Sequence, residues 1–350
     1  MFELVILACL TGEKADVCAS RLLPSPTALT QAACESTAEE RTSAWSSVRS
    51  DLTVQSADCV RRDAAGTPLT LTEVADGVYV HEGMIGVPNA ENAGDLANLG
   101  VVIGEKSVAV IDAGGTRAVG ESLYLAIREL TDEPISTLIF THMHPDHTLG
   151  GSAILESGAT IYAHPKLNRG LRARAENYEA SLSGLIGPKG FLGTRAVFPL
   201  KDIGTDTKID LGGRVLELHA WPTAHTDNDL TVFDKETGTF FAGDLVFVDH
   251  TPALDGSLTG WLSVLDQFEG QIKRLVPGHG PASIRWPEGG KPMQHYLNTL
   301  AAQTRTAIKK GESISRAVKH IGETERANWA LFDEFNPRNA TAAYKELEWE

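Results

Sequence analysis

Beyond Cys59 the chain has no cysteine: Cys9, Cys18, Cys34 and Cys59 all precede residue 60 of 350. The remainder can therefore build neither a thiolate metal site nor a disulfide. No CxxC pair is present, which argues against a zinc site within the N-terminal cluster. Four closely grouped cysteines fit a two-disulfide framework in an oxidising compartment, with three connectivities open, and fit equally well four reduced, partly buried thiols. Positive charge is also scarce, with 31 Lys and Arg against 46 Asp and Glu, a formal net charge of -15. With no run of five or six like charges, a surface that tracks phosphates is not expected, nor is nucleic acid as a partner. No stretch reaches the roughly 18 apolar residues of a membrane span. The start, MFELVILACLTGEKADVC, has no basic residue ahead of its short apolar run and carries Glu3 within it, so it lacks the form of a secretory signal. The compartment divides with the cysteines: periplasmic if they are oxidised and a signal has been removed, cytoplasmic otherwise.

What is present is a globular chain, 42% hydrophobic and long enough for more than one unit. FELVILACL and LTVQSADCV read as strands around a short helix, AEERTSAWSSVRS, giving a small βαβ-like unit over residues 1–62. The polar, Gly- and Pro-containing stretch that follows predicts a linker over 63–70. From 71 to 292 the texture is strand, turn and helix, twice over. VADGVYVHEG, NLGVVIGEKSVAVIDAGG and ISTLIFTH are strand runs with a helical AVGESLYLAIREL; then come GRVLELHAWP, the hairpin DLTVFDKETGTFFAGD, a helical SLTGWLSVLDQFEGQIK and RLVPGHG. Two such halves suggest two packed sheets with helices outside. Between them Leu167 to Thr207 is Gly-rich, with a helical ARAENYEASLSGLI and then GPKGFLGTRAVFP, and is expected to lie over a site, its stretch from Gly184 to Pro199 supplying pocket wall. Residues 293–350 read as a helical extension. Neither a short-period repeat nor a low-complexity tract occurs.

The chemistry concentrates in THMHPDHTLGG, which follows the apolar run ISTLIF. His142 and His144 are one residue apart, so in extended backbone they share a side and can reach one ion. Pro145 ends the extended run, and Asp146 and His147 then bend toward a neighbouring point. Imidazole and carboxylate in this arrangement suit zinc, and also iron or manganese, better than calcium or magnesium. A pair of ions needs further ligands. His225 in WPTAHTDNDL, Asp244 in FFAGDLVF and His279 in VPGHGP each follow an apolar run beside Gly, Pro or Thr, as a site built along one rim would require.

THMHPDH followed by AHTDN, AGD and PGHG resembles the metallo-β-lactamase superfamily, over about Leu71 to Pro281. The resemblance implies a four-layer αββα sandwich of the α+β class, with the site at one edge between the sheets. It implies that His142, His144 and His225 hold one metal, that Asp146, His147 and His279 hold the other, and that Asp244 bridges them. Asp244 stands where the best-known β-lactamases of the superfamily have Cys, so the pattern is more similar to glyoxalase II, lactonases and related hydrolases. AHTDNDLTVFD, AGDLVFVDHTPALDGSLTGWL and the cysteine-bearing start look most like the SoxH-related zinc metallohydrolases associated with quinoprotein dehydrogenase systems.

The function expected is dinuclear hydrolysis of an ester, thioester, lactone or amide of a small-molecule substrate, accessory in one version to a periplasmic quinoprotein or other redox partner. Two divalent ions, zinc first, lower the pKa of a shared water from ~15.7 toward ~7 and supply hydroxide at neutral pH. Asp146 and Asp244 are the carboxylates expected to serve catalysis. Asp112, in AVIDAGG, is a candidate acceptor for a ligand imidazole and equally a turn cap. Two rivals stand: a mono-iron oxidoreductase like the persulfide dioxygenases, and a metal-holding accessory protein that turns nothing over. Flavodiiron proteins alter the first motif and carry a flavodoxin module that this chain lacks. His81, His164, His219, His295 and His320 read as ordinary hydrogen-bonded histidines rather than ligands, and His250, just after the Asp244 strand, as a residue that could face substrate.

Overall fold

The structure is a computed structural model and describes residues 1–12, 16–198, 201–268 and 272–350. At the N-terminus β1 (Phe2–Leu10), β2 (Cys18–Leu23) and β3 (Leu52–Arg61) form an antiparallel sheet in the order β2-β1-β3, backed by the helix Gln31–Ser47. The expected strand, helix and strand are there, with β2 added. CASRLL escapes a pattern reading because it is short and Ser20 and Arg21 interrupt its apolar residues. With β3 antiparallel to β1, the unit is a ββαβ sheet without the parallel crossover of a true βαβ. The helix starts earlier than expected because Thr30 caps it, its side chain accepting from the Ala33 N–H at 3.2 Å. Both disulfides form: Cys9–Cys18 joins strands directly opposed in register, and Cys34–Cys59 ties the helix to β3.

The main body has two sheets. β4 (Thr72–Ala75), β5 (Val78–His81), β6 (Leu99–Ile103), β7 (Val108–Ile111), β8 (Ile135–Phe140), β9 (Thr160–Ala163) and β10 (Lys201–Asp202) lie in the order β10-β9-β8-β7-β6-β5-β4. β11 (Asp206–Asp210), β12 (Val215–Ala220), β13 (Leu230–Asp234), β14 (Thr239–Phe247) and β15 (Arg274–His279) follow in sequential order. The unbroken apolar runs that mark these strands reflect burial on both faces. In β7, Val108 and Val110 pack outward under helices while Ala109 and Ile111 face the other sheet. In β14, Phe241 faces the first sheet and Phe240 and Ala242 face outward. Helices Arg117–Leu130 and Gly151–Glu156 cover the first sheet, and Leu258–Leu265, Lys291–Lys309 and Phe332–Leu347 cover the second, completing the αββα sandwich of a mixed α+β fold.

Three expectations are refined. Residues from 293 onward are outer layer rather than an appendage: Tyr296, Leu300, Phe332 and Ala343 share one buried cluster with Phe247 and Trp261. The regular part of SLTGWLSVLDQFEGQIK is Leu258–Leu265, and residues 269–271 lie outside the described residues. The Gly-rich stretch after Leu167 opens with a long helix, Leu167–Ile186, while Pro199 at the end of the expected pocket-wall loop lies outside the described residues.

The N-terminal sheet docks on the first helical layer through buried polar groups. Arg117, with no exposed surface, donates from Nε to Glu121 at 2.6 Å, from Nη1 and Nη2 to Glu156 at 2.8 and 2.7 Å, and from Nη2 to the Leu22 carbonyl at 2.7 Å. Glu3, within the opening apolar run, is buried between Arg62 at 3.0 Å and the Tyr124 hydroxyl at 3.1 Å.

Candidate metal centre

All seven expected residues meet at one edge of the sandwich, at strand ends. After β8 the chain bends through Thr141–Met143; Met143 joins the core beneath the helices, while His142 and His144 on either side of it bring their ligand atoms into one group. His144 then precedes a short helix, Pro145–Thr148, which turns Asp146 and His147 to an adjacent point. The β12–β13 loop supplies His225, an irregular stretch of β14 supplies Asp244, and β15 ends at His279. Two groups result, each with ligand atoms within 4.8 Å of one another: His142, His144, His225 and Asp244, and Asp146, His147 and His279. Asp244 faces both. Its Oδ2 lies 3.6 and 3.4 Å from His142 and His225 Nε2, and its Oδ1 lies 3.1 and 3.4 Å from His147 and His279 Nε2.

The outer nitrogens fix which ring atoms face inward. His279 Nδ1 donates to the Leu96 carbonyl at 2.9 Å and His225 Nδ1 to the Ala253 carbonyl at 2.6 Å. His147 Nδ1 lies 2.8 Å from Asp112 Oδ2, an acceptor. The Thr141 hydroxyl donates to that same carboxylate at 2.7 Å, which leaves its oxygen to accept from His142 Nδ1 at 3.1 Å. His144 is reversed: Nε2 lies 3.2 Å from Asp255, and Nδ1 faces His225 Nε2 at 3.0 Å. Assigned from these partners, the tautomers aim five imidazole lone pairs and the Asp244 carboxylate at one small region. Atoms of that kind repel one another and cannot hydrogen-bond. His142 Nε2, His147 Nε2 and Asp244 Oδ1 are buried without partners. Together they are a donor set that fits divalent cations.

Electrostatics divide the rings: against the opposing effect of burial, Asp244 and the neighbouring carboxylates hold His147 well above, and His279 above, the usual imidazole range, whereas His225 and His142 disfavour charge. Burial above all pushes His225 down to about 3, and burial with the neighbouring His147 holds His142 well below the usual imidazole range. Burial would raise Asp244, yet the surrounding imidazoles hold it well below the ordinary carboxylate range. Gly278 makes room: a Cβ there would sit 2.0 Å from Asp244 Oδ1.

Asp112 accepts from a ligand imidazole as considered, but it caps no turn of its own: Oδ1 accepts the Thr141 N–H at 2.8 Å at the end of the neighbouring parallel strand β8, and Asp112 sits at a left-handed φ of 61°. His250 lines the cavity beside the site, stacked on His279 at 4.9 Å. His81, His164, His219, His295 and His320 lie outside both groups and bond instead to Asp95, the Trp221 carbonyl, Asp206, Glu325 and Glu312 respectively. Several supports went unread in the sequence. Buried Asn98 holds the PGHG turn through the carbonyls of Pro277, Gly278 and Gly280. Asp229 closes the AHTDND loop on the N–H and hydroxyl of Thr226. A Thr three residues before an Asp is a turn signal that could have revealed Asp229; nothing local marks Asn98 or Asp255.

Comparison with known proteins agrees with this architecture. The family model for the metallo-beta-lactamase superfamily matches residues 93–279, more than half of the chain. The chain belongs to that superfamily. Among solved structures, TMB-1 matches with a TM-score of 0.50 and 22% identity over 66% of this chain and 97% of its own. The metallo-beta-lactamase FIM-1 from Pseudomonas aeruginosa, in its mono-zinc form, gives 0.50 and 22% over 67% of this chain and 96% of its own. The sec-alkylsulfatase Pisa1 from Pseudomonas sp. gives 0.59 and 15%, covering 80% of this chain, which spans about half (50%) of the sulfatase. At these identities the likeness is one of fold.

Proposed function

We propose that the chain is a dinuclear metallohydrolase, with zinc as its metal, that cleaves an ester, thioester, lactone or amide of a small molecule. The proposal rests on the convergence of five imidazole lone pairs with the two-faced carboxylate of Asp244. His142, His144 and His225 would hold one ion, Asp146, His147 and His279 the other, and Asp244 one oxygen toward each. Bound there, the ions supply Lewis acidity, both lowering the pKa of water and polarising the carbonyl to be cleaved.

The chain's own residues do the rest. Asp244 fixes the separation of the two groups, and Asp112, Leu96 and Ala253 hold the rings in their working tautomers. His144 and Asp146, only half-buried, open the site toward a cavity of about 600 Å³, within the range of small-molecule pockets. Cleavage breaks the bond from the acyl carbon to O, S or N; water gives its OH to that carbon and its remaining proton to the leaving group. We assign residues 1–62 as a docked brace, 63–70 as the linker, 71–292 as the hydrolase domain and 293–350 as the extension that completes the cavity. The two disulfides favour the periplasm. A role beside a quinoprotein dehydrogenase has only the resemblance of the later motifs in its support.

Elemental analysis of purified protein, paired with thioester, lactone, β-lactam and phosphodiester substrates, tests the proposal. Two zinc ions per chain and turnover of a carbonyl substrate, lost in His144→Ala, are expected. One iron per chain without hydrolysis would favour the dioxygenase-like alternative, and bound metal with no turnover the accessory one.

A further inference from the structure

The cavity beside the metal centre is mostly apolar. Val87 and Pro88 line one side, Leu182 and Leu185 from the helix Leu167–Ile186 another, and Leu254 and Phe335 a third. Of this lining, Val87 and Leu185 are 48 and 54% exposed, and Met84 and Ile85, which precede the lining residue Gly86 in the chain, are 56 and 40% exposed. Exposed apolar side chains in the wall of a cavity fit a binding surface.

Charge in the wall is unequally matched. Of its carboxylates, Asp146 and Asp244 belong to the metal centre, and Asp255 is engaged by His144 at 3.2 Å and Arg174 at 3.6 Å. Arg174 also contacts the Met143 sulfur at 3.5 Å. Arg338 is different: among the described ion pairs and hydrogen bonds of the lining residues, it is the guanidinium with no carboxylate partner, and it is exposed at the rim. The helix that carries it is anchored beside the cavity. Asn339 next to it is buried, accepting the Leu254 N–H at 2.9 Å and donating to the Pro252 carbonyl at 2.6 Å. Phe335, one helical turn earlier on the same face, packs against His250 at 4.8 Å, and His250 stacks on His279 at 4.9 Å. Arg338 thus lines the same cavity as the candidate metal ligands His144, Asp146, Asp244 and His279, on the helix whose Phe335 connects through His250 to His279, in a chain whose net charge is -15.

We propose that Arg338 anchors an anionic group on the substrate, and that the substrate is an amphiphilic monoanion: an acyl compound with an apolar chain and a carboxylate-type oxyanion away from the bond cleaved. The word substrate rests on the hydrolase proposal above. The planar guanidinium suits two-point recognition of such an oxyanion, and the walls of Val87, Leu182 and Leu185 take the chain.

Two measurements on full-length, zinc-loaded wild type, Arg338→Ala and Arg338→Lys decide the matter. In calorimetric titrations, the affinity for octanoate relative to octanamide should fall about tenfold in R338A, with R338K recovering part of it. In kinetics, mono-p-nitrophenyl adipate and p-nitrophenyl hexanoate differ by one terminal carboxylate, and the ratio of their KM values should shift about tenfold against the adipate in R338A. Unchanged ratios in both, or equal loss for charged and neutral partners, would overturn the anchor. If neither ester is turned over, the wider substrate panel above still decides the hydrolase proposal, and the titrations decide Arg338.

Discussion

Two buried polar clusters, about equally hidden from water, do opposite things with their charges. Around Arg117 every guanidinium nitrogen has an oxygen, supplied by Glu121, Glu156 and Leu22, and the cluster is complete within the protein. Around Asp244 the outer atoms are as well satisfied, but the inner ones, His142 Nε2, His147 Nε2 and Asp244 Oδ1, have no partner and face each other. A buried polar cluster that closes on itself locks two layers together, whereas one satisfied outside and open inside is shaped for something not made of protein. Composition does not separate them, since both are built from ordinary charged residues on helices and strand ends.

Removing the centre of the open cluster should have the largest effect. Asp244→Ala takes away the one group that faces both sets, so both ions should be lost together. Turnover should fall by about a thousandfold or more, beyond the ~10–100-fold that loss of an outer partner costs. Metal analysis that finds one ion retained at full occupancy would remove Asp244 from its bridging place. In the closed cluster, Arg117→Ala leaves Glu121 without its ion-pair partner and Glu156 with Arg49 alone, and should destabilise the fold by about 3 kcal/mol in denaturant titrations. Arg117→Lys should recover part of this. Here the metal content of the folded fraction should stay unchanged, the reverse of Asp244→Ala. The same junction bears on how separable residues 1–62 are: removing them uncovers Arg117 and Tyr124, so the truncated chain is expected to be markedly less stable than the whole.

An intermediate case sharpens the contrast. Asp112 is itself closed, with both oxygens engaged, yet its partner His147 faces inward. Asp112→Ala should therefore act mainly through the metal, weakening its affinity about 10–100-fold, with Asp112→Asn retaining part by still accepting from His147 Nδ1. Competition with a chelator measures this directly. A purely thermal destabilisation with unchanged metal affinity would make Asp112 only a tie between the ends of β7 and β8.

The open cluster was legible in the sequence and the closed one was not, for a physical reason. Metal-grade side chains at strand ends must sit at fixed spacings within their own loops, so HxHxDH and the later His, Asp and His carry their meaning locally. Arg117, Glu121 and Glu156 acquire theirs only when β2 and two helices meet, and a charged residue on a helix reads the same whether it ends buried or solvated. The C-terminal residues show the same limit: they read as helical, with no sign that Phe335 and Arg338 would reach the cavity. For the cysteines, the even count left two bridges and four reduced thiols equally open, and the pairing depends on the backbone register, which sets Cys9 opposite Cys18.

The smallest expected effect tests how far the closed kind of pairing supports the open one. His81 Nε2 lies 2.8 Å from Asp95, and its Nδ1 lies 3.0 Å from the Thr70 carbonyl. Burial disfavours the imidazolium, but the Asp95 bond and charge outweigh it, so His81 titrates above its ordinary value of 6.5. A folded-state pKa raised above the unfolded one stabilises fully below the unfolded pKa and is lost as pH rises through the folded pKa. His81→Gln should thus cost about 1 kcal/mol near pH 5.5 and clearly less near pH 8.5, read as the change with pH of the gap between variant and wild-type denaturation midpoints. Asp95 precedes Leu96, whose carbonyl orients His279, and Asn98, which holds the PGHG turn. Any metal loss in the variant should therefore centre on the group containing His279; a gap that widens with rising pH would show instead that His81 is held neutral and that the pair supplies no charge to this strand end.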